Sequence, residues 1–180
     1  MGLLVEKGPV VWRGPLVMSA LQRLLKGAVW GPLDILIVDT PPGTGDVHLS
    51  LAQNVPISGI VLVSTPQVAA LEVTRRGAEM YKTLKAPIIG LVENMGSVTC
   101  TSCSAEIKLF GQSTIKFCEI MSVRLLETLP MEGRVIECSD TGIPIVVQDP
   151  NSNFAKIYIR IAKQVIEFLR TEKKKESVQI

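Results

Sequence analysis

The sequence has no apolar run long enough to cross a bilayer: its longest, ISGIVLVS, falls far short of the roughly 18 to 20 residues that a spanning helix needs. Aromatic residues make up only 4% and the net charge is +2. With no basic stripe interleaved with aromatics, a nucleic-acid surface is excluded as an expectation. The opening MGLLVEKG carries only a short apolar stub, which matches neither a secretory signal nor an Arg-rich transit peptide. Glu6 stands where a myristoylation signal needs Ser or Thr. There is no internal repeat and no low-complexity linker. The four cysteines, without a secretory signal, point to a reducing compartment and to metal or catalytic use rather than disulfides.

What is present is an apolar chain: 47% hydrophobic and 20% charged over 180 residues, enough for one sizeable core. Three short runs rich in Ile, Val and Leu read as buried strands: ILIVDT, GIVLVSTP and PIIGLVENM. Helical spacing fits LVMSALQRLLKG, DVHLSLAQN with Asp46 as N-cap, VAALEVTRRGAEMYKTLK, STIKFCEIMS and NFAKIYIRIAKQVIEFLRTEKKK. In the last of these, Phe154, Ile157, Ile159, Ile161, Val165, Ile166 and Leu169 are the apolar positions. Strands alternating with helices predict an α/β fold, a parallel sheet with helices on both faces. The expected organisation is a single domain over 1–170 followed by a charged, frayed tail over 171–180.

The stretch DILIVDTPPGTGD carries the first candidate chemistry. In an open parallel sheet, ligands bind beyond the carboxyl ends of the strands, and ILIVDT would deliver Asp39 there. A carboxylate so placed can hold a metal-bound water. Gly43 and Gly45 would let backbone amides approach a terminal phosphate, and Pro41 and Pro42 stiffen the approach. The same residues also read as a strand-ending Asp, a Pro-Gly turn and a helix cap at Asp46. Yet no G-x-x-x-x-G-K-[ST] occurs anywhere in the chain, so the usual lysine and amide cradle for phosphates is missing.

Cys100 and Cys103 form a C-x-x-C in the polar, small-residue loop GSVTCTSCSAE. Two thiolates at this spacing suit a soft metal or an iron–sulfur cluster but make only half of a tetrahedral site. Cys118 and Cys138 could complete it, but the spacing C-x2-C-x14-C-x19-C lacks a second close pair, and both have apolar or helical neighbours, as packing cysteines do. A cluster shared with a second copy, an intrachain zinc, a redox disulfide and plain surface thiols all remain open at this point.

Taken in order, PVVWRGPLVMSALQRLL, LDILIVDTPPGTGDVHLSLAQNVPISGIVLVSTPQ, GLVENM, the C-x-x-C and SDTGIPIV resemble the Mrp/ApbC-type P-loop ATPases, MinD-like proteins that carry iron–sulfur clusters. The likeness runs from about residue 3 to residue 165 and is strongest to their eukaryotic, mitochondrial nucleotide-binding-protein-like branch. It implies a P-loop NTPase fold, ATP-dependent delivery in the complete form of a [4Fe–4S] cluster to apoproteins such as complex I subunits, and mitochondrial or else cytoplasmic location. It further implies that Asp39 is the Walker-B carboxylate, Gly43 the switch glycine, and Asn94 the adenine contact. Cys100 and Cys103 would bridge a [4Fe–4S] cluster with the same pair from a second subunit. ATP and Mg belong to the complete protein. Partners would be a second copy or a complete family member, together with iron–sulfur apoproteins.

Arg13 lies in the family's WRG element. Family members also carry a leading strand and the deviant P-loop GKGGVGKS, an Asp where Val68 stands, and a Gly-rich start to the helix near 111–121; this chain has none of these. It is therefore expected to correspond to the carboxyl-terminal two thirds of such a domain, N-terminally truncated, with unpaired strand edges. It is expected not to bind ATP tightly on its own. The alternative is a P-loop-less paralogue or fragment acting as a non-enzymatic interaction module.

Overall fold

The computed structural model describes residues 14–178; Glu6 and Arg13 lie outside them. The chain divides into two compact units, Met1–Pro56 and Ile57–Ile180.

In the first unit, helix α1 (Gly14–Lys26) packs on helix α2 (Asp46–Asn54). Helix α1 ends with Arg23 and Lys26 in its last turn, where cations meet the partial negative charge of the last carbonyls. Helix α2 begins at the predicted residue, but its cap is the extended Gly45, and Asp46 is the first helical residue. The carboxylate still faces the positive end of the helix.

Between the helices, the structure corrects one expectation. Residues 35–40 form no strand, and the apolar run Ile35–Val38 is exposed, to 88% at Ile37. The reason is geometric. A strand's backbone donors and acceptors are satisfied only across a ladder, and no described strand pairs with this run. Composition specifies a strand only when a neighbour exists to accept it.

The second unit holds the parallel sheet. Strands β1 (Ile60–Ser64), β2 (Ile88–Glu93) and β5 (Leu125–Thr128) lie in the order β1-β2-β5, all parallel. Helix α3 (Val68–Thr83) connects the first two. The two-residue strands β3 (Val98–Thr99) and β4 (Glu106–Ile107) make an antiparallel hairpin after β2. Helix α4 (Thr114–Met121) then leads to β5, and helices α5 (Gly133–Asp140), α6 (Ile145–Gln148) and α7 (Asn153–Val178) complete the unit.

The strands feed two cores, and in β2 the pairing registers shift along the strand, so that Ile89 and Leu91, two residues apart, lie in opposite ones. One face carries Leu62, Leu91, Phe117, Met121 and Val123, with Leu71 and Ala78 of α3. The other carries Ile89, Val92, Leu126 and Leu129, with Cys138, Ile145 and Phe154 from the last three helices. Helices therefore cover both faces, as expected of parallel strands buried on each side. Within α7, Phe154, Ile157, Ile161, Val165 and Phe168 face this core, a spacing of three and four residues. Ile159 and Ile166 point outward instead. Arg160 of α7 binds Glu127 of β5 through two bonds of 2.6 and 3.0 Å. Helix α7 runs to Val178, through the segment expected to fray, because Glu and Lys are good helix formers. Among the described residues no helix is long and apolar enough to cross a membrane.

Candidate functional site

In the second unit the candidate residues follow one another out of the sheet. Strand β2 ends at Glu93, and the Asn94 amide donates to Ser64 O at 2.7 Å, so the backbone of Asn94 is fixed at the carboxyl end of the β1–β2 ladder. Its half-buried side chain meets no hydrogen-bond partner among the described residues. Met95 then adopts φ +58°, a left-handed conformation that is costly for a residue with a side chain. Gly96 follows with its N–H on Leu129 O at 2.9 Å. A Cβ there would collide with the Thr128 methyl and the Glu93 carboxylate, so only glycine passes between them. Ser97 O accepts from the Met131 amide at 2.7 Å, which seats the start of the hairpin on the segment after β5.

The hairpin carries both thiols. The Cys100 amide donates to Ala105 O, and Cys100 O accepts from the Ser104 amide, each at 2.9 Å. Ser104 closes the turn at φ +58°. This folds the chain back so that the backbone N–H groups of Cys103 and Ser102, and then the Cys103 thiol, hydrogen-bond the Cys100 sulfur and hold its pKa below the ordinary thiol value. Cys100 is half-buried and Cys103 exposed. Amide donors aimed at a sulfur favour its thiolate, the form that binds metal.

The other two cysteines have different surroundings. Cys118 is buried in the core under α4, and burial, followed by the charge of Glu93, pushes its thiol pKa up. Cys138 is buried in the opposite core, and its thiol donates to Gln148 Oε1 at 2.8 Å. Among the described residues no group of three or more His, Cys, Asp and Glu is assembled to hold a metal. Cys100 and Cys103 therefore stand as two thiols without a third ligand from the described chain.

In the first unit Asp39 is exposed at the end of the unpaired run, not at the end of a strand. Gly43 takes φ +100°, which a side chain would resist, and so lets the loop turn back toward α2. His48 of α2 is buried, and its Nε2 donates to Pro41 O at 2.9 Å, a tie between loop and helix that the sequence reading missed; a lone His within a helix gives little sign of it. Val68 opens α3 and is 65% exposed. At the start of α4, Thr114 Oγ1 is buried with no hydrogen-bond partner among the described residues.

A family model for the ParA group, described as a NUBPL iron-transfer P-loop NTPase, matches residues 1–166. The mouse iron–sulfur cluster transfer protein NUBPL is 45% identical over 173 residues, covering 95% of this chain and 54% of that protein. An iron–sulfur cluster carrier protein of Helicobacter pylori is 43% identical, covering 98% and 48%. An Arabidopsis thaliana iron–sulfur protein required for NADH dehydrogenase, mitochondrial by name, is 46% identical, covering 94% and 55%. The chain thus spans about half the length of the curated relatives it matches.

Among solved structures, a nucleotide-binding protein from Archaeoglobus fulgidus in complex with ADP superposes with a TM-score of 0.65 at 29% identity, covering 77% of this chain and 56% of that one. The cell-division ATPase MinD of Pyrococcus furiosus gives 0.64 at 21%, covering 83% and 58%, a likeness of fold alone. With a family match over 166 of its residues and a MinD-like parallel sheet, the chain belongs to the ParA family of P-loop NTPases, in its NUBPL iron-transfer group.

Proposed function

We propose that this chain is the cluster-holding part of an iron–sulfur cluster carrier. Cys100 and Cys103, together with the same pair from a second copy, hold a [4Fe–4S] cluster as cargo for delivery to apoproteins. The observation that carries the reading is the turn at Cys100: a sulfur oriented by two backbone N–H groups beside a second, exposed thiol, with no third ligand among the described residues. Two such pairs related by a two-fold axis supply the four thiolates that a [4Fe–4S] cluster takes. The relatives named as cluster carriers and transfer proteins support the cargo. The name of the Arabidopsis relative supports a mitochondrial setting and NADH dehydrogenase, respiratory complex I, as a destination.

In a complete site Asp39, Gly43 and Asn94 would serve the metal, phosphate and adenine of a bound Mg-ATP that gates the cluster. Their present surroundings do not fit that group. Asp39 is exposed beyond an unpaired run, and the chain has no phosphate-loop lysine. No step of the proposal therefore passes through nucleotide. The exposed run Ile35–Val38 favours a second reading, in which the chain works as a non-enzymatic module paired with a complete family member.

Anaerobic reconstitution with iron and sulfide tests the carrier reading. The expected product is one [4Fe–4S] cluster per two chains, with a dimer on size exclusion. Cys100→Ser and Cys103→Ser should lose it, and Cys118→Ser should keep it. A full cluster on Cys100→Ser, or stoichiometric zinc on a monomer, would overturn the shared site.

A further inference from the structure

Resting on the shared-cluster reading, we infer which surface brings the second copy to the thiols. It is the apolar row Ile107–Val98–Met131, on the face of the hairpin that carries Cys100, and it packs against the matching face of a second copy of this chain.

The row follows from the register. Val98 of β3 pairs with Ile107 of β4 on one side and bridges to Met131 on the other. Residues directly opposite one another in neighbouring strands point to the same face, so three apolar side chains stand side by side. The next pair, Thr99 with Glu106, turns to the other face. The Cys100 amide on Ala105 O continues the same pairing one step further, and alternation returns Cys100 to the face of Val98, about 7 Å along the strand.

The two faces differ in kind. Thr99 and Glu106 are polar and exposed, as a wet face should be. The other face is apolar, yet Ile107 is 44% and Met131 38% exposed, and Leu109, two residues beyond Ile107, is 58% exposed. Single exposed apolar residues are ordinary, but a row of them beside an incomplete ligand set marks a contact surface. The ligand count names the occupant. Cys100 and Cys103 offer two thiolates to a cluster that takes four, and the described residues gather no third ligand. The other two must arrive on the face that carries Cys100. When a second copy brings them through a two-fold axis, the two hairpins present the same surface to each other, and apolar meets apolar.

The test uses the full chain, reconstituted anaerobically with iron and sulfide and diluted in series. Analytical ultracentrifugation reads the dimer, and iron and sulfide per chain are measured on the same samples. Ile107→Glu and Met131→Glu, on separate segments, should each raise the dissociation constant of the loaded dimer about ten-fold or more, because each puts a charge where an apolar side chain is covered. Ile107→Thr, which keeps a strand-forming side chain, should shift it less and in the same direction, and Ile107→Leu should restore it. Ile120→Glu, on α4 at a residue 69% exposed and outside the row, should leave it unchanged. Circular dichroism of each variant checks that the fold is kept. If both Glu variants hold the cluster in a dimer as tight as the unmodified chain, the row is not the contact, and the carrier reading stands. If the unmodified chain takes up one cluster per monomer, or none, the shared cluster falls and the contact falls with it.

Discussion

One backbone turn separates the chemistry of Cys100 from that of Cys118. Both are thiols, yet Cys100 receives two amide N–H groups, whereas Cys118 is buried and lies within the field of Glu93. Donors to sulfur favour the charged form, so the Cys100 thiolate persists to lower pH. Burial and a nearby negative charge disfavour it, so Cys118 stays protonated to higher pH. Alkylation requires the thiolate. In the apo chain, site-resolved iodoacetamide rates against pH should give a midpoint at Cys100 below that of an unperturbed thiol and one at Cys118 above it. Coincident midpoints would show that the turn does not direct its amides at Cys100 in solution.

At the scale of elements, β2 organises the second unit, since it pairs with strands on both edges and feeds both cores. Leu91 at its centre is fully buried. Leu91→Ala removes packing that the flanking elements cannot replace, and should destabilise the chain by about 2–5 kcal/mol, as core leucine truncations do. A urea melt followed by circular dichroism measures it, and a loss well under 1 kcal/mol would mean that the cluster around Leu91 is loosely packed. Most of these elements were legible in the sequence. The β1 and β2 runs, and helices α2, α3 and α4, were readable because their apolar spacing is local. Strand β5 escaped because it is only four residues, LLET, half of them polar; Glu127 is there to meet Arg160. Conversely, ILIV reads as a strand by composition and is none, because pairing is a property of neighbours that no local pattern contains. The C-x-x-C was legible as a pair. The turn that carries them was not, since Ser104 closes it in a conformation its residue type does not announce.

For the whole molecule, the decisive question is whether the features of a nucleotide site add up to one. Tight binding of ATP in this fold needs a nest of backbone amides and a lysine around the phosphates, with a supported carboxylate for the metal. The chain has no G-x-x-x-x-G-K-[ST]. Asp39 is exposed after a run that no described strand supports. The Asn94 backbone is held by Ser64 O, and a single side-chain amide on a base would contribute on the order of 1 kcal/mol net, far from the roughly 8 kcal/mol that micromolar affinity represents. Isothermal titration of the purified full chain with Mg-ATP should therefore show no binding in the micromolar range, and phosphate release should match the protein-free blank. Cluster loading at Cys100 and Cys103 should be unchanged by added Mg-ATP, because backbone bonds of Cys100 to Ala105 and Ser104, and of Ser97 to Met131, hold the main chain of the hairpin without a nucleotide. Micromolar heats, or an ATP-dependent change in loading, would show that the exposed Asp39 loop gathers phosphate donors by a route that neither its sequence nor its conformation contains.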